Sequence, residues 1–346
     1  MKPLAYHVLR QLAGGEFHSG EALALATQMS RASVWNAVQE IQAAGLDVFS
    51  VRGRGYRLAR PLVMLDAACI TQALGEAAPF GIEVIDEIDS TNTRLLQRAQ
   101  TGEPHASVVA AEWQTAGRGR MNRAWHAPFG GALTLSVLWR FSQGAAALAG
   151  LSLAVGLALV RALEAMGTTG AAGVGLKWPN DVLWRGRKLA GILIEMPGDA
   201  LGPSAVVIGV GINVRLPASA AAHIGQPAAD LETLLEIGGA RALDRNRLLA
   251  AVLGELNTTL LEFERIGFRA FRDDWQRRHV HQGCPVQVVQ SGGVTASGLA
   301  CGVRDDGALL LETAQGLRPF HSGDVSLRAT GRMDGRAPGS PTRRAP

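Results

Sequence analysis

The chain has 346 residues, enough for two or three domains with proper cores. With 47% hydrophobic and 18% charged residues, its composition excludes a disordered chain. A net charge of +4 is too small to make the whole molecule a polyanion binder, so any such function must sit where charge is concentrated.

The three cysteines, Cys69, Cys284 and Cys301, lie far apart with no C-x-x-C. That excludes a disulfide framework or a zinc knuckle and suits a reducing compartment. The N-terminus has no signal-peptide apolar region, so a cytoplasmic protein is expected.

Residues 1–61 predict a winged helix-turn-helix. Leu4, Val8, Leu9 and Leu12 have helical spacing up to Gly14-Gly15. A second helix follows Ser19 with Leu23, Leu25 and Ala26 turned inward. A third follows Ser30 as N-cap and runs to Gly45, with Val34, Val38 and Ile41 as its apolar stripe. "DVFSV", a turn at "RGRG" and "YRLA" then form a two-stranded wing in which Arg52, Arg54, Arg57 and Arg60 lie close together. In such a module the third helix enters a major groove and the wing touches phosphates. The DNA-facing candidates are Ser30, Arg31, Ser33, Asn36 and Gln39 on the helix, and Arg52, Arg54 and Arg57 on the wing. The bland alternative is a three-helix packing module.

A second domain is expected over 66–275, where strand-like and helix-like runs alternate: "IEVIDEI", "STNTRLLQRAQ", "ASVVAAEW", "GALTLSVLW", a long Ala-rich helix, "GVGLKWPNDVLW", "RKLAGILIEM" and "SAVVIGVGINV". The gaps at 185–188 and 197–204 are too short for crossover helices, so the fold class is α+β with much antiparallel strand. The apolar run Gly144–Val160 carries glycines and falls short of the ~20 residues a bilayer needs, which predicts a buried helix and no membrane partner. Short strands over 280–329, with turns at Asp305-Asp306-Gly307 and Ser322-Gly323, predict a small β-barrel. Residues 330–346, rich in Gly, Pro and Arg, predict a disordered tail.

Four stretches carry chemistry. "TAGRGRMNRAW" (115–125) sets Arg118, Arg120 and Arg123 around Gly117 and Gly119, where backbone N–H groups and guanidiniums suit an anion, or else a solvated turn. It is neither a P-loop nor a dinucleotide fingerprint. "KWPND" clusters Lys177, Asn180 and Asp181 at a turn, and Asp181 is a candidate Mg²⁺ ligand. Lys188 opens the apolar strand "LAGILIE", where Gly191 lets a ligand approach the backbone; a strand-edge solubility role fits Lys188 equally. Ser90, Thr91 and Asn92 stand at a strand-to-helix junction, where capping is the simplest role, and Gln114 adds a further neutral hydrogen-bonder. Neutral donors beside an apolar strand suit a small, mostly apolar ligand with a compact polar head.

"STN" at 90–92, "EWQTAGRGR" at 112–120, "KWPND" at 177–181, "RKLAGILIE" at 187–195 and "GVGINV" at 209–214 resemble, in order and spacing, the biotin–protein ligases. The N-terminal module, with "GEFHSGEALA" and "GRGYRL", resembles the bifunctional subclass that also represses biotin-synthesis genes. "RDDGALLLE" through "SGDVSLR" is similar to that family's SH3-like barrel. The resemblance implies a biotin/lipoate-ligase-like catalytic domain with a mixed sheet, biotin and ATP as substrates, Mg²⁺, and transfer of biotin to a lysine of a carboxylase's biotin carboxyl carrier domain. It also implies operator DNA and a homodimer when biotinyl-adenylate is bound.

On that resemblance, Ser90, Thr91, Asn92, Gln114, Gly119 and Gly191 belong to the biotin site, and Lys188 stabilises charge between the biotin carboxylate and the α-phosphate. Arg118 and Arg120 hold the adenylate under a loop that orders over it. Arg123, Lys177, Asn180, Asp181 and Asn213 serve ATP and Mg²⁺. The chain departs from the subclass at Met121 and Asn122, where "GRGRRGR" has an arginine and a glycine. Two other readings share the fold: a non-catalytic biotin-sensing regulator, against which Lys188 and an intact arginine loop argue, and a lipoate ligase, against which "KWPND" with "GRGR" argues.

Overall fold

The computed structural model describes residues 1–75, 78–167, 173–197, 203–221, 224–238, 243–290, 293–323 and 325–329. The tail 330–346 expected to be disordered lies outside the described residues.

The N-terminal module is α1 (Pro3–Leu12), α2 (Gly20–Thr27), α3 (Arg31–Ala43), β1 (Val48–Val51) and β2 (Gly55–Leu58). Ser19 and Ser30 cap α2 and α3, accepting from the N–H groups of Ala22 and Ser33 at 3.0 and 3.1 Å. The wing β1–β2 is an antiparallel hairpin, and a bridge between Tyr56 and His18 ties it to the segment before α2. Gly55, at φ +98°, is required there, since a Cβ would stand 2.0 Å from the His18 carbonyl oxygen.

One expectation for α2 fails. Leu23 is buried, but Leu25 is 81% exposed and Ala26 is also exposed. At 100° per residue, Leu25 lies about 200° round from Leu23. The inward face is therefore set by Gly20, Leu23, Ala24 and Thr27.

The central domain is a seven-stranded sheet in the order β3-β4-β5-β9-β8-β7-β6. Its elements are α4 (Ala67–Leu74), β3 (Gly81–Ile88), α5 (Thr91–Ala99), β4 (Ser107–Gln114), β5 (Ala132–Phe141), α6 (Leu151–Ala165), β6 (Val174–Lys177), β7 (Asp181–Trp184), β8 (Arg187–Glu195) and β9 (Ser204–Asn213). After it come α7 (Ala218–Ala221), α8 (Leu231–Gly238), α9 (Arg245–Ile266) and α10 (Arg272–Arg277). Among the described strand pairs of this sheet β3 and β4 alone run parallel, so the sheet is mixed, as expected.

The apolar run at 144–160 is not one helix. A 3₁₀ turn at Ala145–Leu148 precedes Gly150 at φ +81°, and α6 starts only beyond it. A Cβ on Gly150 would sit 2.6 Å from Phe268. The stretch 145–165 is apolar and long enough to cross a bilayer by composition, yet α6 lies in the core, packed on the sheet and on α9.

The C-terminal unit is an antiparallel five-stranded sheet, β13-β12-β11-β10-β14, formed by β10 (Pro285–Gln290), β11 (Gly293–Val303), β12 (Leu309–Thr313), β13 (Gly316–Phe320) and β14 (Ser326–Ala329). Its apolar face (Val286, Val288, Leu309, Leu311) merges with the central core, whereas the winged helix keeps a separate one.

Candidate active site and DNA-binding face

Strand alternation builds the cleft. Along β9, Ile208, Val210 and Ile212 bury into the core under α6, which turns Gly209 and Gly211 to the opposite face. Gly191 on β8 pairs with Gly211, so two adjacent strands present bare backbone. Trp125 lies on that floor: a Cβ at Gly211 would be 2.6 Å from its indole, and one at Gly191 3.3 Å. The cleft encloses about 450 Å³, open solvent at its mouth included.

Every residue expected in the biotin set lines this cleft: Ser90, Thr91, Asn92, Gln114, Arg118, Gly119, Arg120, Lys188 and Gly191. Ser90 also caps α5, with Thr93 N–H at 3.4 Å, so the capping role and the cleft position coexist. Gln114 Oε1 accepts from the Thr91 N–H at 2.8 Å and from its hydroxyl at 3.1 Å. Ser136, which sequence reasoning missed, donates from the strand below to Thr91 Oγ1 (2.7 Å) and Asn92 Oδ1 (2.5 Å). These buried groups are therefore oriented before any ligand arrives.

The arginine loop folds as a small hairpin roof. Gly119 N–H donates to Arg123 O at 2.7 Å and Trp125 N–H to Gly117 O at 2.8 Å. Met121 and Asn122, the two departures, sit at φ +57° and +55° at its tip, a conformation that costs an L-residue roughly 1–2 kcal/mol. Arg118 forms a bidentate pair with Glu195. Arg120 reaches Asn180 Oδ1 at 3.1 Å and the backbone carbonyls of Ser322, Gly323 and Val325 in the C-terminal unit.

A basic corner adjoins the cleft. Lys188 Nζ is 2.7 Å from Asp181 Oδ1, and Lys177 Nζ is 3.9 Å from Asp181 Oδ2. Burial holds the Lys177 ammonium below the ordinary lysine pKa; Asp181 opposes that shift, while Lys188, Arg123 and Arg328 add to it. Lys177, Asp181 and Arg123 thus border the cleft without lining it. Asn180 lines it, donating to Ile192 O at 2.8 Å. Asn213 does not: it is buried, and its Nδ2 donates to the carbonyls of Lys188 (3.2 Å) and Ala229 (3.0 Å), bracing the strand that carries Lys188.

Trp125 was also missed as a site residue, although it ends the arginine stretch. Its indole N–H is buried with no hydrogen-bond partner among the described residues.

On the winged helix, Ser30, Arg31, Asn36 and Gln39 are exposed along α3, with Ser33 half-buried beside the Ser30 cap. Arg52 and Arg54 are exposed and Arg57 half-buried. Phe17 holds two of the wing arginines, with the Arg54 and Arg57 guanidinium carbons 4.1 and 4.9 Å from its ring centre; Arg57 also lies 5.3 Å from that of Phe49.

The Biotin/lipoate A/B protein ligase family matches residues 84–213, an HTH domain family matches 5–57, and the Biotin protein ligase C terminal domain family matches 281–328. The bifunctional ligase/repressor BirA of Escherichia coli is 40% identical over 319 residues, 92% of this chain and 95% of that protein. Its namesake in Bacillus subtilis is 31% identical over 322 residues, 91% and 95% of the two chains. Among solved structures, the biotin protein ligase from Aquifex aeolicus in complex with biotin and ATP aligns at TM-score 0.59 with 28% identity, over 72% of this chain and 99% of that one. The chain belongs to the biotin protein ligase family, alongside the bifunctional ligase/repressor proteins that it matches over nine-tenths of its length.

Proposed function

We propose that this protein joins biotin to ATP, giving biotinyl-5′-adenylate and pyrophosphate, and then passes the biotinyl group to a lysine on the carrier domain of a biotin-dependent carboxylase. In the first step a biotin carboxylate oxygen attacks the α-phosphorus and pyrophosphate leaves. In the second the lysine amine attacks the anhydride carbonyl and AMP leaves. Both nucleophiles come with the substrates, so the enzyme's part is orientation, charge stabilisation and exclusion of water.

The observation that carries this reading is one cleft with a two-strand glycine floor that seats the Trp125 indole, pre-oriented neutral hydrogen-bonders at one end and a lysine–arginine corner at the other. Ser90, Thr91, Asn92 and Gln114 take the polar head of biotin. The backbone from Arg118 to Arg120 closes over the chain and carboxylate, and Trp125 packs against the ligand. Lys188 stabilises charge between carboxylate and α-phosphate. Lys177, Asn180 and Arg123 face the phosphates, and Asn213 acts by bracing Lys188.

Mg²⁺ enters with the nucleotide. Asp181 is a single carboxylate already paired with Lys188, and no cluster of three or more metal-ligating side chains occurs among the described residues. That donor set fits an ion held mainly by phosphate oxygens and water, with Asp181 contributing at most one ligand.

The same reading includes repression: α3 and the wing bind operator DNA, the adenylate-bound form is a homodimer, and the protein works in the cytoplasm. The test is pyrophosphate release from the purified protein with ATP and Mg²⁺, plus biotin, lipoate or neither. Release stimulated by biotin alone is expected. Stimulation by lipoate alone, or by neither acid despite biotin binding, would overturn it.

A further inference from the structure

Glu195 has no role in the scheme above, although it gathers three segments of the site. It ends β8 on the strand face that carries Gly191. Its carboxylate accepts from Arg118 through Nη1 at 3.0 Å on one oxygen and Nη2 at 2.8 Å on the other. The second oxygen also accepts from Asn92 Nδ2 at 2.8 Å. Asn92 is itself buried and fixed by Ser136. Arg118 forms the backbone bridge to Ala124 that closes the base of the hairpin.

We propose that Glu195 is a positioning residue that latches the arginine loop shut over the cleft. A partly exposed ion pair contributes little through charge alone. This one differs in geometry: the planar guanidinium is held at two points, which fixes its direction as well as its distance. The carboxylate is fixed in turn by Asn92, a residue of the ligand-facing set. The roof is thereby tied at its base to the floor of the site, while Arg120 ties its tip to the C-terminal carbonyls. With its charge answered by Glu195, Arg118 offers the cleft its backbone rather than a free cation. The latch sets how long an adenylate stays enclosed; that consequence rests on the biotinyl-adenylate reading, whereas the latch itself does not.

The test compares full-length protein with Glu195→Gln, Arg118→Gln and the double variant. The first readout is trypsin cleavage after Arg120 and Arg123 without ligand, followed by mass spectrometry. Glu195→Gln is expected to raise the cleavage rate about tenfold, the effect of losing one charge-assisted pair. The double variant should be no faster than either single one. The second readout is adenylate release after a single turnover with biotin and MgATP, which should accelerate in Glu195→Gln several times more than the pyrophosphate burst changes.

Unchanged cleavage, or effects of the two substitutions that simply add, would overturn the latch. Should Glu195→Gln fail to fold, Arg118→Lys, which keeps the charge and loses the fork, serves in its place on the same readouts. Should wild type form no adenylate, the biotin reading falls while the trypsin comparison still decides the latch.

Discussion

Lys188 is held at the cleft edge by Asp181 from one side and by a strand braced through Asn213 from the other. A fixed ammonium of this kind is most useful where charge develops between two reacting groups. Lys188→Ala should lower the single-turnover rate of biotin-dependent pyrophosphate release by about 10²–10³, the loss seen when one preorganised donor is removed. Biotin affinity, measured by calorimetry, should change far less; near-normal release would take Lys188 out of this role. Lys177 gives a second expectation. Its burial-lowered pKa means that the ammonium loses its proton at a lower pH than an ordinary lysine. The charged form is the one that attracts phosphate, so ATP binding should weaken as pH rises through that lowered pKa. Lys177→Arg should remove the alkaline weakening from the pH profile of the nucleotide KM. At this scale the sequence was informative wherever a role follows from residue type and local spacing, as for Lys188, Gln114 and the glycines. It was silent on Ser136 and Glu195, whose parts arise only when β5 and the end of β8 meet Asn92 in space.

Elements were legible where caps and periodicity agree. Ser19 and Ser30 cap the helices they were expected to start, and Val34, Val38 and Ile41 are buried. Leu25 misled because three apolar letters in a short helix do not by themselves fix its inward face. The long helix α9 was not singled out, although Asp244 caps it and Leu248, Val252, Leu256 and Leu260 keep helical spacing. Its importance is tertiary. Arg245, in its first turn, is buried against Glu112 of β4 at 2.6 Å and donates to the Val63 carbonyl, while Glu112 accepts from the Leu65 N–H. This pair pins the linker between winged helix and sheet, so Glu112→Ala should cost about 3–5 kcal/mol in urea unfolding by stranding a buried charge. The wing makes a separate claim. Replacing Arg54 or Arg57 with Gln should weaken binding to any duplex DNA and lower the slope of log K against log salt by about 1 each. An unchanged slope would remove those arginines from the interface.

Across the whole molecule the three parts are joined differently. The winged helix has its own core, yet Phe129, just past the arginine loop, is buried in it with its ring centre 5.8 Å from that of Tyr6. The C-terminal sheet shares the central core, and two contacts of the sheet and of the segment leading into it lie at the site. One is Arg120 on the carbonyls of Ser322, Gly323 and Val325. The other is the segment Arg278–Val280, whose backbone extends the sheet edge at Leu176, next to Lys177. That second junction holds His279 against Trp275 and His281 near Lys177, both imidazoles buried. Burial pushes His279 down to about 3 and His281 down to about 4, with the Lys177 charge adding to the latter and the neighbouring His281 to the former. Unfolded histidine titrates near pH 6.5, so between there and pH 4 the unfolded chain binds protons that the folded one refuses. Stability must therefore fall as pH drops through that window, and the loss from His281 alone approaches about 3 kcal/mol at its lower end. His281→Gln should flatten the decline of the urea midpoint between pH 6.5 and 4, and hydrogen exchange at pH 5 should show Leu176 and Val280 opening before the centre of the sheet. Equal acid sensitivity in the two proteins would mean that the carboxylates, and not this junction, set the acid limit of the fold.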